Sequence, residues 1–284
     1  MATVSADPAP APAPPRATAG GRRELRLLSF NIQAGAHFER YHHYVTRPWR
    51  HVLPHGARRR NLDRLASLVA GYDIVALQEA DAGSLRSGFQ NQIEFLADRA
   101  GFGWFSIQTN RRIGRITHTC NALLMRHPPS EVRDYALPGT LPGRGALWAR
   151  FGEGENALLV VVVHLSLGPR ARARQIDFLC SIIDGHRNVV VMGDFNCPAT
   201  APEMLRLYDD TPLAPPVASP ATFPSWAPVR GIDHILLSDS LEPLRCEVPN
   251  VGLSDHLPVA LTARMPGDCA RVAFSPDSDT ENPA

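Results

Sequence analysis

Hydrophobic residues recur along the chain in two patterns, as short continuous runs and as longer stretches with helical spacing. The short runs predict buried strands, because a strand covered on both faces carries apolar side chains at successive positions. Apolar residues spaced three or four apart predict helices that bury one face. Predicted strands span residues 25–32, 73–77, 104–107, 122–125, 146–151, 157–163, 189–192, 232–237 and 258–262, and predicted helices span residues 62–69, 89–100 and 171–183.

The alternation of strands and helices predicts one layered α/β domain at residues 24–266. Its first strand, helix and second strand form a βαβ-like opening. Residues 1–23 are rich in Ala and Pro and poor in large apolar side chains, so burial cannot offset the entropy lost on ordering. Residues 267–284 look similar, and both ends are therefore predicted to be disordered tails.

Charge and cysteine content limit the possible partners and compartments. The net charge is +1, and all 29 basic residues other than His are Arg, so no global basic field favours nucleic acid. The five cysteines show neither the spacing of paired disulfides nor that of a zinc site, which predicts that the protein resides in the reducing cytoplasm. We expect no signal peptide, because no basic segment precedes an apolar core at the N-terminus. No run reaches the roughly 18 apolar residues of a membrane span.

Acids, amides and histidines recur at the ends of the predicted strands. A buried, ionised carboxylate is costly unless it is paired, hydrogen-bonded or bound to metal. Taken singly, each such residue would more often be a turn former or a helix cap, but their recurrence predicts one shared site at a sheet edge. The residues placed in this way are Asn31, Glu79, His164, Asp194, Asn196, Asp233, Asp255 and His256.

The residue types at these positions indicate hydrolytic phosphate chemistry. Carboxylate and amide oxygens suit Mg²⁺ or Mn²⁺ rather than zinc. Asp194 and Asn196 are two residues apart, so both side chains can point to the same side of an extended segment. A phosphate-ester site needs a metal, a base for water and neutral donors, and this set supplies all three.

Seven segments, in the same order along the chain, resemble motifs of the endonuclease/exonuclease/phosphatase superfamily. The resemblance covers roughly residues 25–262, and small bacterial members of unassigned substrate also share the segments 164–168 and 222–224. The seven segments are Ser29-Phe30-Asn31-Ile32, Leu77-Gln78-Glu79, Asn121-Ala122-Leu123-Leu124, Val163-His164-Leu165, Gly193-Asp194-Phe195-Asn196, Ile232-Asp233-His234-Ile235 and Ser254-Asp255-His256-Leu257-Pro258-Val259.

This resemblance implies a DNase I-like fold, a four-layered α/β sandwich in which two packed mixed β-sheets are flanked by helices. Glu79 would be the principal metal ligand, with Asn31 and Asp255 near the same or a second ion. Asp194 would orient or deprotonate the attacking water, and Asn196 would donate to the phosphate.

Two histidines complete the implied catalytic group. His256 would contact the scissile phosphate and be oriented by Asp233, since a carboxylate on one ring nitrogen fixes the tautomer. His164 would stabilise the phosphate or the leaving group. Whether Asp194 or His256 acts as the base stays open.

Three further residues are candidates for contacting substrate, namely Asn121, Arg144 and Arg174. Both arginines lie where a substrate phosphate could approach, although such residues are commonly solvated or form surface ion pairs worth under about 1 kcal/mol. Residues 36–60 are rich in His and Arg and would either overhang the site and hold an anionic group or form a solvated loop and helix start.

We therefore predict a phosphodiesterase or phosphatase with Mg²⁺ or Mn²⁺, acting on a small phosphodiester, a phospholipid head group or nucleic acid. A DNA endonuclease or exonuclease of the same superfamily is the alternative, but no basic stripe interleaved with aromatic residues supports it. An inactive binding module is disfavoured, because every position expected to carry chemistry holds a competent residue. No obligate protein partner is indicated, and the oligomeric state stays open.

Overall fold

The chain forms two β-sheets, which the computed structural model describes for residues 23–33, 56–83, 91–113, 117–139 and 143–274. The strands are β1 (Arg23–Asn31), β2 (Ile74–Asp81), β3 (Trp104–Ile113), β4 (Thr117–Met125), β5 (Glu131–Ala136), β6 (Gly145–Phe151), β7 (Leu158–His164), β8 (Asn188–Asp194), β9 (Asp233–Leu237), β10 (Glu242–Glu247) and β11 (Val259–Met265). The helices are α1 (Gly56–Val69), α2 (Gln92–Ala100), α3 (Pro169–Ile183), α4 (Pro202–Asp210) and α5 (Gly267–Ala273).

The two sheets pack face to face, and helices cover their outer faces. One sheet has the strand order β10-β11-β1-β2-β4-β3, and the other has the order β5-β6-β7-β8-β9. Side chains alternate along each strand, so Leu25 and Leu27 of β1 lie between the sheets while Leu28 and Phe30 face α1 and α2. The same alternation in β7 and β8 supplies the outer core beneath α3 and α4. The predicted four-layered α/β sandwich is confirmed.

Parallel pairing brings the carboxyl ends of four strands to one edge of the sandwich. β1 pairs in parallel with β2, with α1 in the connection, and β7 pairs in parallel with β8 through α3. Asp194 at the end of β8 lies opposite His164 in β7 and Asp233 in β9. The polar strand ends therefore meet at one edge, which holds the candidate site.

The structure adds elements that the hydrophobic pattern did not predict. β5 and β10 are edge strands with mostly exposed side chains, and α4 is a short helix. The predicted domain end at residue 266 falls directly before α5, whose Cys269, Ala270 and Ala273 pack into the core between the sheets. The folded chain therefore continues to Phe274, because these small apolar residues bury against the ends of the strands.

Several earlier predictions lie outside the described residues. They are the N-terminal tail up to residue 22, the end of the C-terminal tail after residue 274 and most of the His/Arg-rich segment, namely residues 36–55. Residues 56–60 of that segment begin α1. No helix in the described ranges is long and apolar enough to cross a membrane.

Candidate active site

Side chains from both sheets meet at the shared edge. The amide nitrogen Nδ2 of Asn31, at the end of β1, donates to Asp194 Oδ2 at 3.1 Å and to Glu79 Oε1 at 3.3 Å. Asp194 belongs to the opposite sheet, so Asn31 joins the two sheets through its side chain. Both Asn31 and Asp194 are buried. The site is thus centred where the two sheets approach each other.

Glu79 is presented to this site by a bulge in β2. Leu77 pairs with Ala122 and Ala80 pairs with Cys120, so two residues of β2 oppose the single residue Asn121 of β4. Glu79 has a φ of 55°, a conformation in which a non-glycine residue is strained. Bulges turn side chains out of the regular alternation, and 36% of the Glu79 side chain is exposed. This carboxylate is therefore open to an incoming ligand.

The end of β8 positions Asp194 and Asn196. Gly193 lies so close to β7 that a Cβ at this position would collide with the carbonyl oxygen of Val163. Asp194 Oδ1 accepts from the backbone N–H of Asn196 at 2.9 Å, and Asn196 adopts a φ of 56°. The Asn196 amide donates to the Leu165 carbonyl at 2.9 Å, which leaves its second amide hydrogen for a substrate.

His256 is held by a buried hydrogen-bonded chain. Its Nδ1 lies 2.9 Å from Asp233 Oδ2, and the hydroxyl of Thr222 donates to the same oxygen at 2.5 Å. The ring of Phe223 packs against the His256 ring at 4.9 Å between centroids. His256 Nε2 points to the other side, 3.9 Å from Asp194 Oδ2. The ring therefore has a fixed orientation, with one nitrogen free to act in the site.

The two site histidines differ in charge. Burial opposes protonation of His256, but the nearby carboxylates of Asp233, Asp194 and Asp255 outweigh it and raise the pKa of His256 to about 10. Burial lowers the pKa of His164 well below its ordinary value, and the charges of Arg144 and His256 add to this effect. His256 is thus a cation at neutral pH, whereas His164 is neutral, with Nε2 3.4 Å from Asp194 Oδ2.

Asp194, Asp233 and Asp255 bury their carboxylates and Glu79 exposes its own only in part, an acidic group that fits a divalent cation. Burial raises the pKa of Asp194, and the neighbouring Asp233 raises it further. Burial also raises the pKa of Asp255, with an added contribution from Glu79. A divalent cation among these oxygens would relieve both the desolvation and the mutual repulsion.

Two groups of residues could hold such a cation. Ligand atoms of Asp194, Asp233 and His256 lie within 4.8 Å of one another, but Asp233 and His256 already share a hydrogen bond. We favour a position at the Glu79 carboxylate, which is partly exposed and has Asn31 beside it. Glu79 and Asn31, together with Asp255, offer oxygen donors of the kind that Mg²⁺ and Mn²⁺ bind.

The three substrate-contact candidates fall in different places. Asn121 is fully buried and donates to Gln108 Oε1 and to the Gly145 carbonyl, so its amide hydrogens link the two sheets beside the bulge rather than face a substrate. Arg144 and Arg174 line a cavity next to the site. Thr222 and Phe223 were missed as functional residues, although their Thr-Phe-Pro segment contributed to the family resemblance and was the available signal.

Comparisons with known proteins agree with this fold. Residues 28–256 match the model of the Endonuclease/Exonuclease/phosphatase family. The structure is similar to an endonuclease/exonuclease/phosphatase from Beutenbergia cavernae DSM 12333, with 20% identity and a TM-score of 0.66 over 86% of this chain and 72% of that chain.

Two further solved structures show the same likeness. A mannosyl-6-phosphatase from Bacteroides thetaiotaomicron VPI-5482 is 17% identical, with a TM-score of 0.60 over 84% of this chain and 99% of that chain. A humanized D. rerio TDP2 carrying 14 mutations is 16% identical, with a TM-score of 0.61 over 84% of this chain and 98% of that chain. At these identities the likeness shows the fold alone. No curated protein sequence matches this chain.

Proposed function

Since the chain belongs to the endonuclease/exonuclease/phosphatase family, whose members are generally hydrolases, we propose that it hydrolyses a phosphate ester with the help of Mg²⁺ or Mn²⁺. The observation that carries this proposal is the contact of Asn31 with both Glu79 and Asp194, next to the oriented cation of His256. A cation site and a phosphate-binding imidazolium would thus share one cleft. The mannosyl-6-phosphatase with this fold makes phosphatase action on a small molecule a natural candidate.

Glu79 would be the principal ligand of the metal, assisted by Asn31 and Asp255. Glu79 fits this role because its carboxylate is partly exposed at the centre of the acidic cluster. A bound divalent ion would neutralise phosphate charge and lower the pKa of a water molecule.

His256 would hold the scissile phosphate. Because its pKa is raised to about 10, Nε2 carries a proton at neutral pH and can donate to a phosphate oxygen. The same protonation disfavours His256 as the base. Asp233 would keep the ring oriented through Nδ1 and stabilise its positive charge.

Asp194 would orient and deprotonate the attacking water. Its raised pKa makes the carboxylate a better proton acceptor than an ordinary Asp. The water oxygen bonds to phosphorus as the bond to the ester oxygen breaks, and the leaving oxygen takes up a proton. The neutral His164 and the free amide hydrogen of Asn196 would stabilise the charge on the phosphate oxygens.

Hydrolysis of bis(p-nitrophenyl) phosphate, with and without a chelator, tests the proposal. We expect turnover that needs Mg²⁺ or Mn²⁺ and that falls about a hundredfold or more in Asp194→Ala and His256→Ala, as for groups acting in the transition state. Arg206→Ala serves as a surface control, and circular dichroism verifies folding. Chelator-resistant turnover, or near-normal rates in both folded variants, would contradict the proposal. Supercoiled plasmid assayed in parallel tests the nuclease alternative.

A further inference from the structure

A cavity of about 530 Å³ is formed by Arg144 and by residues of the segment that follows His164. Its volume is within the range of small-molecule binding sites, about 300–1,000 Å³. Three arginines contribute to its wall, at the start of α3 and in the residue before β6. The lining residues are Arg144, Ser166, Leu167, Gly168, Pro169, Arg170, Ala171 and Arg174.

None of the three cavity arginines forms an ion pair in the part of the chain that the structure describes, and the side chains of Arg170 and Arg174 are exposed. No described carboxylate lies within ion-pair distance of Arg144, Arg170 or Arg174. Their neighbour Arg172 differs, since it is buried and its Nε lies 2.7 Å from Glu203 Oε1. The helix therefore carries one neutralised arginine and two whose charges are not balanced.

Helix geometry explains this division. Residues 170 and 174 are four positions apart and share one face of α3, whereas residue 172 points elsewhere. Arg172 also donates to the carbonyls of Ser166 and Leu167, which anchors the start of the helix to the loop after His164. Gly168 is the N-cap and offers no side-chain cap, so the positive end of the helix dipole adds to the field of the arginines.

The cavity adjoins the candidate site through two connections. Ser166 in its wall is two residues from His164. Arg144 is more than half buried, and the carboxylates of Asp194 and Glu79 act on its charge, although burial is the larger influence and lowers its pKa. Arg144 thus lines the cavity and also interacts electrostatically with the carboxylates of the candidate active site. A ligand that occupied both places would therefore pass the guanidinium of Arg144.

We propose that this cavity binds a second phosphate group of a small substrate, while the first is held at His256. Guanidinium groups match phosphate oxygens in geometry as well as charge, and an unbalanced positive cavity selects anionic ligands. A small molecule fits better than nucleic acid, because the net charge of +1 gives no overall positive field to attract a long polyanion. The inference rests on the proposed function and adds a substrate class to it.

Two matched double variants test the inference. Arg170→Ala with Arg174→Ala removes two exposed charges from the cavity wall, and Arg187→Ala with Arg271→Ala removes two exposed charges elsewhere on the protein. The probes are glucose monophosphate and glucose bisphosphate, which differ by one phosphate. Affinity is measured on metal-free protein by titration calorimetry, and kcat/KM is measured with Mg²⁺ by phosphate release.

The expected result is a selective loss of preference for the second phosphate. Wild type should bind the bisphosphate more tightly than the monophosphate. In the cavity variant the ratio of the two affinities should fall about tenfold, in line with a lost charged hydrogen bond. The control variant should keep it. Equal preference in wild type and cavity variant, in the binding assay, would overturn the inference.

The binding assay separates this inference from the proposed function. Absence of hydrolysis together with cavity-dependent binding of the bisphosphate would refute the proposed function and support the cavity as a phosphate site. Hydrolysis together with equal bisphosphate binding by wild type and the cavity variant would support the proposed function and refute the cavity as a phosphate site. A single-stranded hexanucleotide is the third probe, and a cavity effect confined to it would overturn the small-molecule assignment.

Discussion

Replacing Thr222 by Val is expected to weaken both the stability and the activity of the protein through one missing hydroxyl group. Thr222 is fully buried, and its hydroxyl donates to Asp233 Oδ2 at 2.5 Å. The same oxygen lies 2.9 Å from His256 Nδ1. Valine has nearly the same volume, so the substitution removes the hydrogen bond without opening a large cavity. The Asp233 carboxylate would then lose one of its two side-chain partners.

The magnitude follows from the charge and burial of the acceptor. A hydrogen bond to a charged group contributes about 1.5–3 kcal/mol, and we expect a loss of this size in the free energy of unfolding. If about half of it appears as poorer orientation of His256 in the transition state, turnover falls about four- to tenfold. The effect on activity is therefore smaller than that of removing His256 itself.

The comparison of Thr222→Val with Thr222→Ser isolates the hydroxyl group. Serine keeps the donor and should retain turnover within about threefold of wild type, since the hydrogen bond to Asp233 can still form. Urea unfolding measures stability, and hydrolysis of bis(p-nitrophenyl) phosphate measures turnover. A stable, fully active Val variant, or a Ser variant as impaired as Val, would refute the idea that the hydroxyl positions His256 through Asp233.

Three other substitutions probe separate parts of the structure. Arg172→Ala leaves Glu203 buried and unpaired and should lower the free energy of unfolding by about 3–5 kcal/mol. Arg206→Ala breaks an exposed ion pair and should lower it by under about 1 kcal/mol. Equal losses of unfolding free energy for the two variants, measured by urea unfolding, would contradict this difference. Burial and Arg23 lower the pKa of His127 in the folded protein, so His127 takes up its proton at a higher pH in the unfolded chain than in the folded protein. The free energy of unfolding should therefore fall as the pH drops below about 6.5. His127→Gln should remove that part of the pH dependence, and parallel stability curves for the two proteins would count against it. Glu79→Gln should weaken Mn²⁺ binding about tenfold or more in calorimetry, and unchanged affinity would place the metal elsewhere.

The strand-end residues of the site could be predicted because their signal is local. Asp194 follows an uninterrupted run of apolar residues, and a carboxylate in that position needs a partner or a ligand. The family motifs then supplied the order of the segments, so the sandwich could be predicted together with the edge that carries the site. The structure brings Asn31, Glu79 and His256 to that edge.

Other features depend on contacts that no local pattern encodes. Thr222 lies in an irregular segment, and its partner Asp233 is recognised only once the chain is folded. The bulge that turns Glu79 toward the site depends on the register between β2 and β4. Edge strands such as β5 have mostly exposed side chains, so their sequences carry no hydrophobic run. α5 buries only small residues and was therefore read as part of the tail.

The roles of the cavity arginines also could not be predicted from the sequence alone. Arg174 was a candidate from its position after His164, but sequence could not separate it from Arg172, which proved to be a buried partner of Glu203. The distinction needs the helix phase and the position of α4. Residues with the same chemistry thus take different roles according to the face they occupy.

A crystal structure with Mn²⁺ and inorganic phosphate would test the central claim most directly. The account predicts an anomalous Mn peak beside the Glu79 carboxylate and a phosphate oxygen within hydrogen-bond distance of His256 Nε2. A peak far from Glu79, or phosphate bound away from His256 with this cleft empty, would contradict it.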